Sequence, residues 1–140
     1  MPILQSALFK KLMNHLIDFF NKKSILIVDD DHMSALLLKE NLKFLNTTLL
    51  VAYNTHDAIE IFKSNPDIAL VLLDLKFHTG CGYEVAKQMR ELSPKVIIIA
   101  QTAMAIEEER IKLKHSCFDG YIFKPIVSDL LLKTISNLIT

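Results

Sequence analysis

Cysteine is scarce in this chain. Cys81 and Cys117 are the only two, too few for a disulfide framework or a cysteine-based zinc site, and they fit a reducing compartment as small packing residues. The histidines, His78 and His115 among them, show no pairing typical of a zinc site and read as surface or core residues. An excess of one charge is missing too: 16 Lys and Arg balance 16 Asp and Glu, so no overall field points toward nucleic acid or an anionic membrane. No apolar run has the length of a membrane span and no cleavable signal is evident, which makes the cytoplasm the default location. No glycine-rich loop follows the first apolar run, so a nucleotide-binding phosphate cradle is not expected. Hydrophobic residues, in contrast, are plentiful at 51% of 140, in a length that suits one domain with a sizeable core.

Those hydrophobic residues are grouped. Leu70 to Asp74 reads LVLLD, an apolar run ending in a carboxylate. Runs of Val, Ile and Leu suit strands buried on both faces, as in a parallel sheet covered by helices. Ile25 to Val28 ends the same way, in Asp29, Asp30 and Asp31. Val96 to Ala100 leads to Thr102, and Gly120 to Phe123 leads to Lys124-Pro125. Open α/β sheets place their ligand crevice at the carboxyl ends of the strands. If these strands are parallel, several carboxylates, a hydroxyl and an ammonium therefore converge on one rim. Acids gathered so closely repel one another unless a cation sits among them.

In chain order, residues 1–23 form an amphipathic helical segment, with Leu4, Leu8, Leu12 and Leu16 beside Phe9, Met13, Ile17 and Phe20. It precedes an already complete domain at 24–140 and is expected to be an extension or linker. A helix packed on its own domain and a homodimerisation helix are its two readings, with membrane-surface binding disfavoured by the few basic residues. Strand 25–28 is followed by a helix over about 33–45, with Leu36, Leu37, Asn41 and Phe44 near one face. A strand at 48–53 and a helix capped by Thr55 and stopped by Asn65-Pro66 come next. Then come a strand at 68–73, a loop, and a helix from Tyr83 to Leu92 with Val85, Met89 and Leu92 inward. A strand at 96–100, a helix over about 106–116, strand 120–123 and a helix over 128–139 complete it. Five β-α units predict a five-stranded parallel sheet with helices on both faces.

Each polar strand end has an ordinary explanation on its own. Asp29 or Asp31 could be a helix N-cap, Thr102 another cap, and Lys124 a solvated charge. Their joint occurrence at the ends of otherwise apolar strands is what points to a site. A metal held by Asp29, Asp30 and Asp74 would have only oxygen ligands, which suit Mg²⁺ or Mn²⁺.

The segments ILIVDDD, LVLLDLKFHTGCGYEV, IIIAQTA and FDGYIFKPI strongly resemble the receiver domain of two-component response regulators, over residues 24–139. IIIAQTA with DGYIFKPI is most similar to receivers attached to hybrid sensor histidine kinases. The resemblance implies a flavodoxin-like fold with strand order 2-1-3-4-5, a topology for which a response regulator is a standard example. It implies Asp74 as phosphoacceptor, Asp30 binding Mg²⁺ directly, Asp29 binding it through water, and the Lys76 carbonyl as a further ligand. By the same resemblance Thr102 would bond the phosphoryl group, Lys124 would neutralise one of its oxygens, and Tyr121 would be the aromatic switch that follows Thr102. The Lys124-Pro125 bond would be cis. The implied partner is a histidine kinase or a histidine phosphotransfer domain, and the implied role is a signalling phosphoacceptor rather than an enzyme.

Two positions depart from the family pattern: His78 replaces a proline four residues after the acceptor, and Cys81 replaces a polar residue before the loop glycine. Lys76 and Met104 occupy positions that tune loss of the phosphate in the family. Neither positions an attacking water well, so slow self-dephosphorylation is expected. LLDLKFHT superficially resembles the haloacid dehalogenase phosphatases, but these need an acid two residues after the nucleophile, where this chain has Lys76. A phosphate-independent interaction module is the remaining rival, disfavoured by retention of every phosphorylation residue.

Overall fold

The structure is a computed structural model that describes residues 7–75, 82–102 and 117–139. After helix α1 (Ala7–Phe19) come β1 (Ser24–Val28), α2 (His32–Leu42) with a 3-10 turn at Lys43–Leu45, β2 (Thr48–Ala52), α3 (Thr55–Ser64) and β3 (Ile68–Asp74). The chain continues through α4 (Gly82–Leu92), β4 (Ile97–Thr102), β5 (Gly120–Phe123) and α5 (Ser128–Ile139). The strands form one parallel sheet in the order β2-β1-β3-β4-β5, as expected. The helix expected over about 106–116 lies outside the described residues.

Strand alternation sorts the core into two layers. Ile25, Ile27, Leu70, Leu72, Ile99 and Ile122 face α1, α2 and α5. Leu26, Val28, Val71, Leu73 and Ile98 face α3 and α4. The central strands are buried on both sides, which is why they read as continuous apolar runs rather than as alternating ones.

Helix α1 places its apolar stripe on this same domain. Phe9, Leu16 and Phe20 are buried in the first layer, and the helix packs against α5 and the 3-10 turn. Over residues 7–23, the described part of this segment, the geometry matches a helix packed on its own domain.

The helix faces correct the sequence reading in three places. In α2 the buried residues are Ala35, Leu38 and Leu42, whereas Leu36 and Leu37 are exposed. This helix carries apolar residues on more than one side, so periodicity alone does not select the inward stripe. In α4, Val85 and Met89 are buried but Leu92, the last residue of the helix, is exposed. The cap of α3 is Asn54 rather than Thr55. Asn54 has extended backbone, accepts from the Asp57 N–H at 2.7 Å and donates its amide back to the Asp57 carboxylate at 2.9 Å. This reciprocal pair satisfies more of the helix end than a threonine one residue later would.

Candidate functional site

Every strand of a parallel sheet points its carboxyl end to the same rim, so residues far apart in sequence meet there. The ladder continues past the strands to hold that rim: the Asp29 N–H donates to Ala52 O at 3.0 Å, Leu75 N–H to Gln101 O at 3.1 Å and Lys124 N–H to Thr102 O at 2.8 Å. Glycine opens α4 because the chain returns hard against the end of β3. A Cβ on Gly82 would stand 3.1 Å from both the Asp74 carbonyl oxygen and the Leu75 side chain.

Asp29, Asp30 and Asp74 each offer a carboxylate oxygen, and these oxygens lie within 4.8 Å of one another. Asp29 is 0% exposed and Asp74 is 4% exposed. The Lys124 ammonium reaches between them, 3.2 Å from Asp29 Oδ2 and 3.2 Å from Asp74 Oδ2. The Lys124-Pro125 peptide bond behind it is cis, as the resemblance implied.

Burial pushes the Asp29 carboxyl upward in pKa. The Asp31 N–H donated to Asp29 Oδ1 at 2.9 Å and the Lys124 charge pull against that, and the Asp74 charge adds to the rise. For Lys124, burial works against its charge, but Asp74 and then Asp29 outweigh it and hold the ammonium above its ordinary range. Asp31 takes the ordinary role of the pair considered for capping. It caps α2, accepting from the Met33 N–H at 3.1 Å and the Ser34 hydroxyl at 2.8 Å, the hydroxyl first and the N–H second lowering its pKa.

Thr102 ends β4 at the same rim and is buried, while Tyr121, beside Ala100 in the β4–β5 register, is 39% exposed and packs edge-on against Phe123. Lys76, His78, Cys81 and Met104 lie outside the described residues. Among the described residues three carboxylates gather beside one ammonium, and the all-oxygen donor set fits a hard divalent cation. The rim can therefore hold a cation and present a buried carboxylate nucleophile with an ammonium beside it.

Such a rim on a 2-1-3-4-5 parallel sheet defines a phosphoacceptor of the flavodoxin-like class. The profile of the response regulator receiver domain matches residues 25–136. The chain belongs to that family and is a receiver domain of two-component signalling. It is 30% identical over 114 residues to the autoinducer 1 sensor kinase/phosphatase LuxN of Vibrio campbellii, spanning 81% of this chain and 13% of LuxN. Among solved structures, response regulator protein TrrA from Thermotoga maritima in complex with Mg²⁺-BeF shares 30% identity with a TM-score of 0.73, covering 83% of this chain and 98% of TrrA. The co-crystal structure of the Saccharomyces cerevisiae histidine phosphotransfer signaling protein Ypd1 with the receiver domain of Ssk1 matches at 27% identity and a TM-score of 0.75, covering 84% of this chain and 88% of the matched one. A sensor kinase among the relatives agrees with the kinase-attached receivers that the motifs resembled.

The sequence reading passed over Gln101. It is fully buried in β4, and neither side-chain amide atom has a hydrogen-bond partner among the described residues. Its signal was available: it is the one amide in the apolar run VIIIAQT.

Proposed function

We propose that Asp74 accepts a phosphoryl group from a phosphohistidine on a histidine kinase or histidine phosphotransfer domain, in the cytoplasm and with Mg²⁺ bound. The observation that carries this reading is the Lys124 ammonium held 3.2 Å from a carboxylate oxygen of Asp29 and of Asp74. An Asp74 carboxylate oxygen attacks phosphorus as the donor's P–N bond breaks, forming an acyl phosphate while the departing imidazole takes up a proton. Asp29 and Asp30 would hold the metal, with the Lys76 carbonyl as a further ligand. Mg²⁺ bound there supplies charge to offset the phosphoryl oxygens. Lys124 is already beside the acceptor and neutralises one of those oxygens without crossing the site. Thr102 hydrogen-bonds another, and the outward Tyr121 turns inward after it, biasing a two-state surface around α5.

TrrA, which carries Mg²⁺-BeF in its solved structure, and Ssk1, whose receiver is seen with a phosphotransfer protein, support the metal and the partner class by similarity. Acetyl phosphate with Mg²⁺ tests the chemistry. Intact-mass measurement should show one added phosphoryl group, absent with chelator and in Asp74→Asn. Persistent modification of Asp74→Asn moves the acceptor elsewhere.

A further inference from the structure

We propose, resting on the metal reading above, that the stacked rings of His32 and Tyr53 are positioning groups that select Mg²⁺ over Ca²⁺ at the rim. The two rings are parallel to within 5° and their centroids lie 3.9 Å apart. His32 opens α2, and Tyr53 follows the last residue of β2. Both are exposed, Tyr53 by 42%, and neither belongs to the apolar layers of the core. Their contact instead joins two chain ends at the rim.

Asp29 and Asp30 lie in the turn between β1 and α2, and that turn is tied twice to the end of β2. On one side the Asp29 N–H donates to Ala52 O at 3.0 Å. Three residues later His32 lies on Tyr53, the residue next to Ala52. Between the ties the Asp31 N–H donates to Asp29 Oδ1 at 2.9 Å, and the Asp31 side chain caps α2. The arc 29–32 is thus closed onto two consecutive residues of one strand end. Removing the ring contact opens the second closure and leaves the first.

The three acids differ in how much they depend on that arc. Asp74 ends β3 and is buried, and Asp29 is buried with its N–H in the ladder. Asp30 is only half-buried and is carried by the arc itself. Mg²⁺ demands near-ideal octahedral geometry at about 2.0–2.1 Å, whereas Ca²⁺ accepts variable arrangements of oxygens at about 2.3–2.6 Å. A loosened Asp30 therefore costs Mg²⁺ more than it costs Ca²⁺. Groups that brace metal ligands without touching the ion tune affinity in this way. A stacked aromatic pair has the strength to change such an affinity by roughly two- to tenfold.

Titration of the full ¹⁵N-labelled chain with Mg²⁺ and, separately, with Ca²⁺ tests the assignment, followed by the backbone amide shifts of Asp30 and Asp31. Tyr53→Ala is expected to raise the Kd for Mg²⁺ about fivefold and that for Ca²⁺ by less than about twofold. Tyr53→Leu keeps the bulk without the flat ring and should behave as Tyr53→Ala does, whereas Tyr53→Phe restores the stack and should bind both ions as the wild type does. His32→Ala should match Tyr53→Ala, and the double variant should be no weaker than either single one, because the pair acts as a unit. A merely structural role would weaken both ions alike. Equal weakening of Mg²⁺ and Ca²⁺, or unchanged Mg²⁺ affinity in Tyr53→Ala and Tyr53→Leu, overturns the proposal and leaves the metal reading standing. A wild type without saturable Mg²⁺ binding overturns both, so the wild-type titration alone tells the two failures apart.

Discussion

At opposite ends of the sheet the chain builds a cation–carboxylate assembly, and the two are put together differently. At the amino ends of β4 and β5, Arg90 on α4 donates to the carbonyls of Pro94, Val96 and Cys117 and to the Asp119 carboxylate. The same Asp119 oxygen accepts from the Ile98 N–H at 2.8 Å. The planar guanidinium is filled by fixed acceptors, and the carboxylate it faces is filled by a backbone donor. At the carboxyl ends, one compact ammonium serves two carboxylates, and a third acid stands beside them. The first assembly is closed and braces a loop. The second gathers three carboxylates around a single ammonium among the described residues, a donor set that suits a hard divalent cation. The same residue classes give a clamp where donors match acceptors, and a reactive site where they do not.

The largest break in this contrast is Asp74→Asn. It should abolish acyl-phosphate formation outright while the fold survives, read by intact mass together with circular dichroism, because the carboxylate sits at the rim rather than within either apolar layer. If the folded variant still takes up one phosphoryl group, the rim is not the reactive end.

The closed end should respond in stability instead. Phe20 is fully buried where α1 hands the chain to β1, and the Thr47 hydroxyl ties the connection by donating to the Phe20 carbonyl at 3.2 Å and to the Lys23 carbonyl. Phe20→Ala is expected to cost about 3–5 kcal/mol in urea denaturation, as for other large-to-small core changes. A loss below about 1 kcal/mol would return residues 1–23 to the status of a separable extension.

Arg90→Ala removes the clamp's four donations but leaves a partly exposed carboxylate that water can reach. About 2 kcal/mol of stability should go, with phosphorylation by acetyl phosphate retained in the folded fraction. Loss of phosphorylation without loss of stability would mean that the two ends are not independent.

The smallest effect has the opposite sign. Asp29 is buried with its carboxyl pKa raised, so its ionised form opposes folding. Asp29→Asn should raise stability in chelator by on the order of 1 kcal/mol and remove the further stabilisation that added Mg²⁺ gives the wild type. The sign in pH follows. A folded-state pKa above the unfolded one makes the folded chain the better proton binder, so this penalty is full above the raised pKa and fades as pH falls through it. The gap in thermal midpoint between variant and wild type should therefore narrow on acidification. A gap that widens instead would place the strain on another acid.

Much of the rim was legible because a parallel sheet turns one-dimensional punctuation into a place. Asp29, Asp30, Asp74, Thr102 and Lys124 each follow an apolar run, and such runs end on one side whatever packs around them. Strand order and the cis bond at Lys124-Pro125 came from resemblance rather than from periodicity, and both are present. The faces of α2 were not legible, since Leu36, Leu37 and Leu38 are adjacent and equally apolar, and only contact with the sheet separates buried Leu38 from its exposed neighbours.

By itself, then, the sequence determined the alternation of strands and helices, the parallel sheet, and the carboxylates gathered at its carboxyl rim. These are consequences of local pattern and chain direction, which need no knowledge of distant neighbours. Only the tertiary structure decided that Phe9, Leu16 and Phe20 are buried in the first core layer, that Lys124 divides itself between two acids, and that the Gln101 amide is buried without a partner among the described residues. Each of those depends on which groups from remote segments arrive at the same point and on whether their donors, acceptors and volumes match there. Local pattern carries no record of that match.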